Sequence, residues 1–177
     1  MDGKKILVFS DSHGDIKALT KIFKWMKKNG LNDAAFLGDG AKDIPEAKAA
    51  AGFSPLVQVV RGNCDYDFSL PESALLDFGG SRFFMSHGHR ASLPSGFDIL
   101  LAAASNNETR TALFGHTHVP FCKTINGILL INPGSIGRPR SDAGPTFVVI
   151  ECLPKPDKET QLPLKIVFWD AVSLTPL

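Results

Sequence analysis

The sequence predicts an α/β fold in which two β-sheets pack face to face and helices flank them. Three observations carry this reading. Over the first third of the chain, short apolar runs alternate with helical patterns, the signature of a parallel sheet with crossover helices. Further on, short β-rich runs follow one another between Gly, Pro and Asn turns, which calls for a second sheet. Finally, Asp, His and Asn side chains gather just behind strand-like runs, where an open α/β sheet brings distant segments onto one rim.

The elements follow in order. Lys4–Phe9 is a β-rich run that exits through the small polar residues of Ser10-Asp11-Ser12-His13-Gly14. Asp15 caps a helix on which Ile16, Leu19, Phe23 and Met26 recur at helical spacing, with Lys17, Lys21, Lys24, Lys27 and Lys28 on a solvated face. Asn29-Gly30 ends it. Asp33–Leu37 is the second strand, left through Gly38-Asp39-Gly40, and Asp43–Ala51 is a short alanine-rich helix. Pro55–Val60 reads as a fully apolar third strand leaving through Arg61-Gly62-Asn63. Ser73–Phe78, Arg82–Ser86, Ala112–Phe114, Phe121–Ile125, Ile128–Asn132, Thr146–Cys152 and Leu164–Trp169 are the later strands. Asn126-Gly127 marks a tight hairpin, Ser95–Ser105 is the helix of this half, and Leu153–Pro163 reads as an exposed loop.

At 177 residues the chain fits one domain, residues 1–177, with room for a substantial core. It is 44% hydrophobic and 21% charged, with a formal charge of +1 and a mean hydropathy of +0.03, an ordinary globular balance. Near-neutrality argues against a basic groove that tracks long nucleic acid, so stable nucleic-acid binding is not expected. No run approaches the ~18 apolar residues of a membrane span, and the short run after Lys5 lacks the features of a signal peptide. Cys64, Cys122 and Cys152 are scattered without CxxC spacing and read as reduced thiols, so a cytoplasmic protein is expected. The sequence leaves room for a homo-oligomer.

The chemistry is carried by a set of motifs, none decisive alone. Asp11-x-His13 by itself is a common turn motif, and Gly38-Asp39 is weaker still. Gly115-His116-Thr117-His118 is stronger, because Gly115 lets the backbone carry two imidazoles over a strand end. All five histidines of the chain, His13, His87, His89, His116 and His118, fall inside these motifs. Oxygen and imidazole donors of this kind suit hard-to-borderline divalent metals, and two such metals are a standard device of phosphoryl chemistry. No Walker-type loop, Ser-His-Asp order or dinucleotide fingerprint is present.

Asp11-Ser12-His13, Gly38-Asp39, Gly62-Asn63, His87 and Gly115-His116-Thr117-His118 together resemble the signature of the calcineurin-like metallophosphoesterases. Gly62-Asn63-Cys64-Asp65, His87-Gly88-His89 and Asn132-Pro133-Gly134-Ser135 resemble their compact YfcE-like phosphodiesterase branch. The resemblance implies a four-layer α/β/β/α sandwich and a soluble hydrolase of small phosphodiester or nucleotide-type substrates. It assigns Asp11, His13 and His118 to a first metal and Asn63, His87 and His116 to a second, with Asp39 bridging. Manganese is the metal it favours, and Fe, Zn, Co, Ni or Mg also suit the donors. Asp39, Asn63, Cys64 and His87 are the implied catalytic set, with a metal-bridging hydroxide attacking phosphorus in line. His89, Asp65, Ser135 and Arg138 are expected near the substrate or against the ligands.

Cys64 departs from the wider family, where a histidine at that position is thought to protonate the leaving group. A thiol, with an unperturbed pKa of about 8.5, is a poor proton donor to an alkoxide near pH 7 and carries no positive charge there. Weak activity on phosphomonoesters is therefore expected. Two other readings fit the pattern. One is a non-catalytic scaffold like the phosphoesterase-like subunit of the retromer sorting complex. The other is a nucleotide-specific hydrolase, for which Phe68, Phe97 and Phe121 are candidate base-stacking residues, although packing is the commoner use of phenylalanine.

Overall fold

The computed structural model describes residues 3–91, 96–153 and 164–177. Strands β1 (Lys4–Phe9), β2 (Asp33–Phe36) and β3 (Leu56–Val59) run parallel, with β1 paired to β2 and β2 to β3. The connections are helices α1 (Ile16–Lys28) and α2 (Asp43–Ala51). Strand β9 (Thr146–Cys152) pairs antiparallel to β1, and β10 (Leu164–Asp170) pairs antiparallel to β9, giving the order β10-β9-β1-β2-β3.

The second sheet is built from β4 (Ser73–Phe78), β5 (Ser81–Ser86), β6 (Thr111–Leu113), β7 (Pro120–Ile125) and β8 (Ile128–Pro133), in the order β4-β5-β6-β8-β7. Helix α3 (Asp98–Asn106) carries the chain from β5 to its parallel neighbour β6. The β7–β8 hairpin turns at Asn126 and Gly127, both at positive φ (50° and 79°), the twist-matched turn that asparagine and glycine allow.

Alternation along each strand explains the layers. In β1, Leu7 and Phe9 face one way and pack against α1 and α2 through Leu19, Ile22, Phe23, Met26, Ile44 and Ala47. Ile6 and Val8 face the other way and meet Phe83, Met85, Leu113 and Ile131 of the second sheet. The outer face of that sheet, with Phe84, Ala112 and Leu130, is closed by Leu100, Leu101 and Ala104 of α3. The order is α/β/β/α, two mixed sheets between helical layers. Helix α1 begins as its cap residue directs, with the Asp15 carboxylate accepting the Ala18 N–H at 2.9 Å.

Two expectations need correction. The third strand, read as a buried run over Pro55–Val60, spans Leu56–Val59 and forms the edge of its sheet. Leu56 is 74% exposed and Val57, Gln58 and Val59 are half-buried, because an edge strand has a neighbour on one side only. The helix expected over Ser95–Ser105 runs from Asp98 to Asn106, and Ser95 lies outside the described residues. Of the Leu153–Pro163 loop, residues 154–163 also lie outside them.

Candidate metal centre

Parallel strands deliver their C-terminal ends to one rim, and the loops leaving β1, β2, β3, β5 and β6 meet there. Backbone hydrogen bonds lace them together. Asp11 N–H donates to Gly38 O at 2.9 Å, His13 N–H to Asp39 O at 3.0 Å, and Gly115 N–H to His87 O at 3.0 Å. The packing is tight enough to exclude side chains. A Cβ on Gly38 would lie 2.5 Å from Gly62 N, and one on Gly62 would collide with the Asp39 carboxylate. At Asp11, His13, Asp39, His116 and His118 the backbone itself is in the left-handed region, with φ between 45° and 67°. Asp and His enter that region more readily than most residues, yet each instance still costs on the order of 1–3 kcal/mol.

These turns aim donor atoms at a common volume. Asp11, buried to 0% exposure, points Oδ1 at His118 Nε2 (3.1 Å), His13 Nε2 (3.7 Å) and His87 Nε2 (4.0 Å). Asp39 Oδ2 lies 3.4 Å from His87 Nε2 and 3.7 Å from His13 Nε2. Three overlapping groups, Asp11–His13–His118, Asp11–Asp39–His87 and His13–Asp39–Cys64, each place their ligand atoms within 4.8 Å of one another. Asp11 Oδ1 and His87 Nε2 are buried and have no hydrogen-bond partner among the described residues. Lone pairs left unpaired at that depth are costly, and a cation satisfies them. The donors therefore fit divalent metal.

The imidazoles are turned for that task by their far nitrogens. His87 Nδ1–H donates to Leu37 O at 2.6 Å and His118 Nδ1–H donates to Arg138 O at 2.6 Å, so both Nε2 atoms face the rim. Burial disfavours the charged form of His87, but the Asp39 and Asp11 carboxylates outweigh it and raise its pKa above the ordinary histidine value. Burial also works against ionisation of Asp39. The His87 imidazole and the Cys64 N–H overcome it and hold that carboxyl well below the usual carboxylate range. His13 and His116 are pushed the other way, chiefly by burial, and so are neutral near pH 7, the form in which an imidazole can take a metal.

Further residues hold the loops from behind. Asp65 is buried, and its carboxylate accepts the backbone N–H groups of Asp39, Gly40, Ala41 and Gly62 at 2.8–2.9 Å. Asp43, which the sequence reading passed over as a helix-start residue, accepts the Ser12 hydroxyl at 2.7 Å and the Gly14 N–H at 2.8 Å. Asn132 donates to Gly115 O and Thr117 Oγ1 and thereby braces the two-histidine loop. Ser135 is fully buried; its hydroxyl donates to Asp11 O and accepts the Arg138 N–H, each at 2.8 Å. Arg138 is exposed and touches the centre through its carbonyl.

The remaining expected residues lie close by. His116 packs edge-on to His87 with ring centroids 5.1 Å apart, and its N–H donates to Asp11 Oδ2 at 3.1 Å. His89 stands behind both, 5.5 Å from His87 and 6.3 Å from His116. Asn63 is exposed on the same loop as Cys64. The Cys64 sulfur lies at the edge of the converging donors, beside His13 and Asp39. Burial first, and then the Asp39, Asp65 and Asp11 carboxylates, push that thiol up to about 11. Phe97 and Phe121 pack with Phe114 at centroid separations of 5.0–6.1 Å and belong to the α3 core, not to a base clamp. Phe68 is 76% exposed beneath the Arg61 guanidinium, 4.7 Å from its ring centre.

Comparison with known proteins bears on this geometry. Residues 5–155 match the family model of the calcineurin-like phosphoesterase superfamily domain. The probable metallophosphoesterase YsnB of Bacillus subtilis is 27% identical over 145 residues, 82% of this chain and 82% of its own. The phosphodiesterase YfcE of Escherichia coli K12 is 27% identical over 158 residues, 77% of this chain and 81% of its own. A conserved uncharacterised protein of Streptococcus pneumoniae TIGR4, described as a predicted phosphoesterase, superposes with a TM-score of 0.76 at 26% identity, covering 97% of this chain and 91% of that one. Vps29 of Entamoeba histolytica, in a structure with zinc, shares the fold at 20% identity and a TM-score of 0.70, over 98% and 96% of the two chains. Among the described residues no helix is long and apolar enough to cross a membrane.

Proposed function

The chain belongs to the calcineurin-like phosphoesterase superfamily, and on that premise we propose that it is a metal-dependent phosphodiesterase working with two divalent cations. The observation that carries the reading is the pair of buried, unpartnered atoms Asp11 Oδ1 and His87 Nε2, 4.0 Å apart at the centre of the converging loops. In this assignment Asp11, His13 and His118 would hold one cation and Asn63, His87 and His116 the other, with Asp39 available to both. Manganese is the proposed metal. Bound there, the cations supply Lewis acidity, bringing the pKa of water toward ~7 and stabilising charge on the phosphoryl oxygens.

The chain's own residues prepare that chemistry. Asp39 is ionised far below neutral pH, and His13 and His116 offer neutral nitrogens. The carbonyls of Leu37 and Arg138 fix the tautomers of His87 and His118. Asn63 contributes an uncharged amide oxygen, which leaves the centre net positive toward a phosphodiester anion. The nucleophile derived from water attacks phosphorus in line while the leaving group departs on the opposite side. Cys64, at the position where the wider family carries histidine, neither adds positive charge nor surrenders a proton readily. The site accordingly acts on diesters and activated aryl esters and is poor on alkyl monoesters.

The test compares bis(p-nitrophenyl) phosphate with p-nitrophenyl phosphate, using chelated protein with and without manganese and Asp39→Asn as the control. Manganese-dependent hydrolysis of the diester, lost in Asp39→Asn and weak on the monoester, is the expected result. Equal monoester activity would overturn the role given to Cys64 while keeping the metal centre, and Cys64→His should raise monoesterase activity. Inactivity with every divalent metal would leave the scaffold reading, which the fold shared with Vps29 accommodates.

A further inference from the structure

A cleft of about 450 Å³ opens beside the metal centre, between α2, the edge strand β3 and the loop that follows Asn63. One end of it is walled by Cys64 and Asp65, so it is continuous with the rim where the donor atoms converge. Its floor is apolar. Ile44 and Pro45 come from α2, Val57 and Val59 from β3, and Leu70 and Tyr66 from the loop. Ile44, Val57 and Val59 also pack into the core under α1 and α2, which makes the floor a rigid surface. Lys42, Lys48 and Asp67 also line it, so its charged groups are of both signs.

Several features of this cleft point to a ring as its occupant. The volume lies in the range of small-ligand pockets, roughly 300–1,000 Å³. Tyr66 is 85% exposed although it borders an apolar surface, so its ring is available for stacking. The valines at positions 57 and 59 are two apart on one strand, and present their side chains to the same face as a flat wall. The edge position of β3, which the sequence did not reveal, is what leaves that wall uncovered.

We propose that this cleft is the subsite for an aromatic ester group of the phosphodiester, an aryl ring or a nucleobase, with its phosphate at the metal centre. The proposal rests on the phosphodiesterase reading above. A ring in the cleft lies against Tyr66 and the Val57–Val59 wall, and its ester oxygen reaches phosphorus past Cys64. Recognition of the substrate thus comes from apolar area next to a centre that is otherwise entirely polar.

Calorimetric titration of the manganese-loaded full chain with phenylphosphonate and methylphosphonate tests the assignment, since the two share an anionic head and differ in the ring. Burying a ring predicts that the phenyl compound binds about tenfold more tightly or better. Val57→Trp fills the cleft and Leu70→Glu lines it with charge, and each should bring the ratio close to one by weakening the phenyl compound. The second variant lies on the loop and guards against a folding defect in the first. Tighter binding of adenosine 5′-monophosphate than of ribose 5-phosphate would identify the ring as a nucleobase; a phenyl preference without it would identify a simple aryl group. Equal affinity for the two phosphonates, or a phenyl preference that survives both variants, overturns the proposal. Failure of both phosphonates to bind the manganese-loaded protein overturns the metal-centre reading and the cleft with it.

Discussion

Asp39 and Asp65 clasp each other's loops. The Asp65 carboxylate accepts the Asp39 backbone N–H at 2.8 Å, while the Asp39 carboxylate accepts the N–H of Cys64, the neighbour of Asp65, at 2.7 Å. The pairing fixes the Asp39 carboxylate relative to the loop that carries Asn63. Asp65→Asn presents an amide N–H₂ to backbone donors and leaves some of them unsatisfied, at about 1–3 kcal/mol. We expect a fall in melting temperature of several degrees and a 10–100-fold loss of manganese affinity, about the effect of removing a group that orients a ligand. Thermal melts and metal titration read the two separately; wild-type manganese affinity in Asp65→Asn would contradict the clasp.

Gly62→Ala should disable the same carboxylate without touching a ligand. The added methyl would collide with Asp39 Oδ1 and lie 2.5 Å from Asp39 N. Gly62 is at ordinary φ, so the backbone accepts alanine and the damage falls on Asp39. Manganese-dependent turnover is expected to drop by about 10²-fold or more, since misplacement by an ångström costs on that order. Retention of the far-UV circular dichroism spectrum would separate this from unfolding.

Asp43 offers a control for the loop that bears Asp11 and His13. Its contacts to Ser12 and Gly14 hold that turn. Asp43→Ala should weaken metal binding by about tenfold or more although no donor is removed. Titration showing unaltered affinity would assign Asp43 to helix α2 alone.

Metal loading should register in stability as well as activity. A ligand at a hundredfold excess over its Kd, bound to the folded state only, adds about 2.7 kcal/mol. For a chain of this size that corresponds to a rise of about 5–10 °C in melting temperature. Differential scanning calorimetry with chelator and with manganese measures it, and Asp39→Asn should show a smaller rise.

The Cys64 thiol, pushed up to about 11 in the metal-free protein, should resist alkylation despite its exposure. At pH 8 its iodoacetamide reaction should be at least about tenfold slower than that of free cysteine, because the thiolate is the nucleophile and little of it is present. Peptide mass spectrometry resolves this residue from Cys122 and Cys152.

Much of this architecture was legible in the sequence, for identifiable reasons. The stretches Ile6–Phe9 of β1 and Phe147–Ile150 of β9 are buried on both faces and so appear as continuous apolar runs. The convergence of the histidine-bearing loops was legible because histidine is scarce here and every instance lies behind a strand. The edge position of β3 was not, since Leu56-Val57-Gln58-Val59 has the composition of an interior strand and pairing order is a tertiary property. Nor was Asp43, whose bonds to Ser12 and Gly14 exist only once the β1 and β2 loops have docked. Ser135 is expected near the substrate or against the ligands, and what the sequence does not show is that its Oγ is spent on backbone, at Asp11 O and the Arg138 N–H.

The left-handed turns at Asp11, His13, Asp39, His116 and His118 bear on how this sequence could be redesigned. Judged by torsion angles alone, glycine is the residue each of those positions asks for. A procedure that chose side chains to relax the backbone would write glycine there, gain stability, and delete the reaction in the same stroke. Conversely, grafting the five side chains onto a host of relaxed loops would carry over the donors without their aim. The transferable unit is the bent backbone together with its bracing aspartates, and it travels whole or not at all.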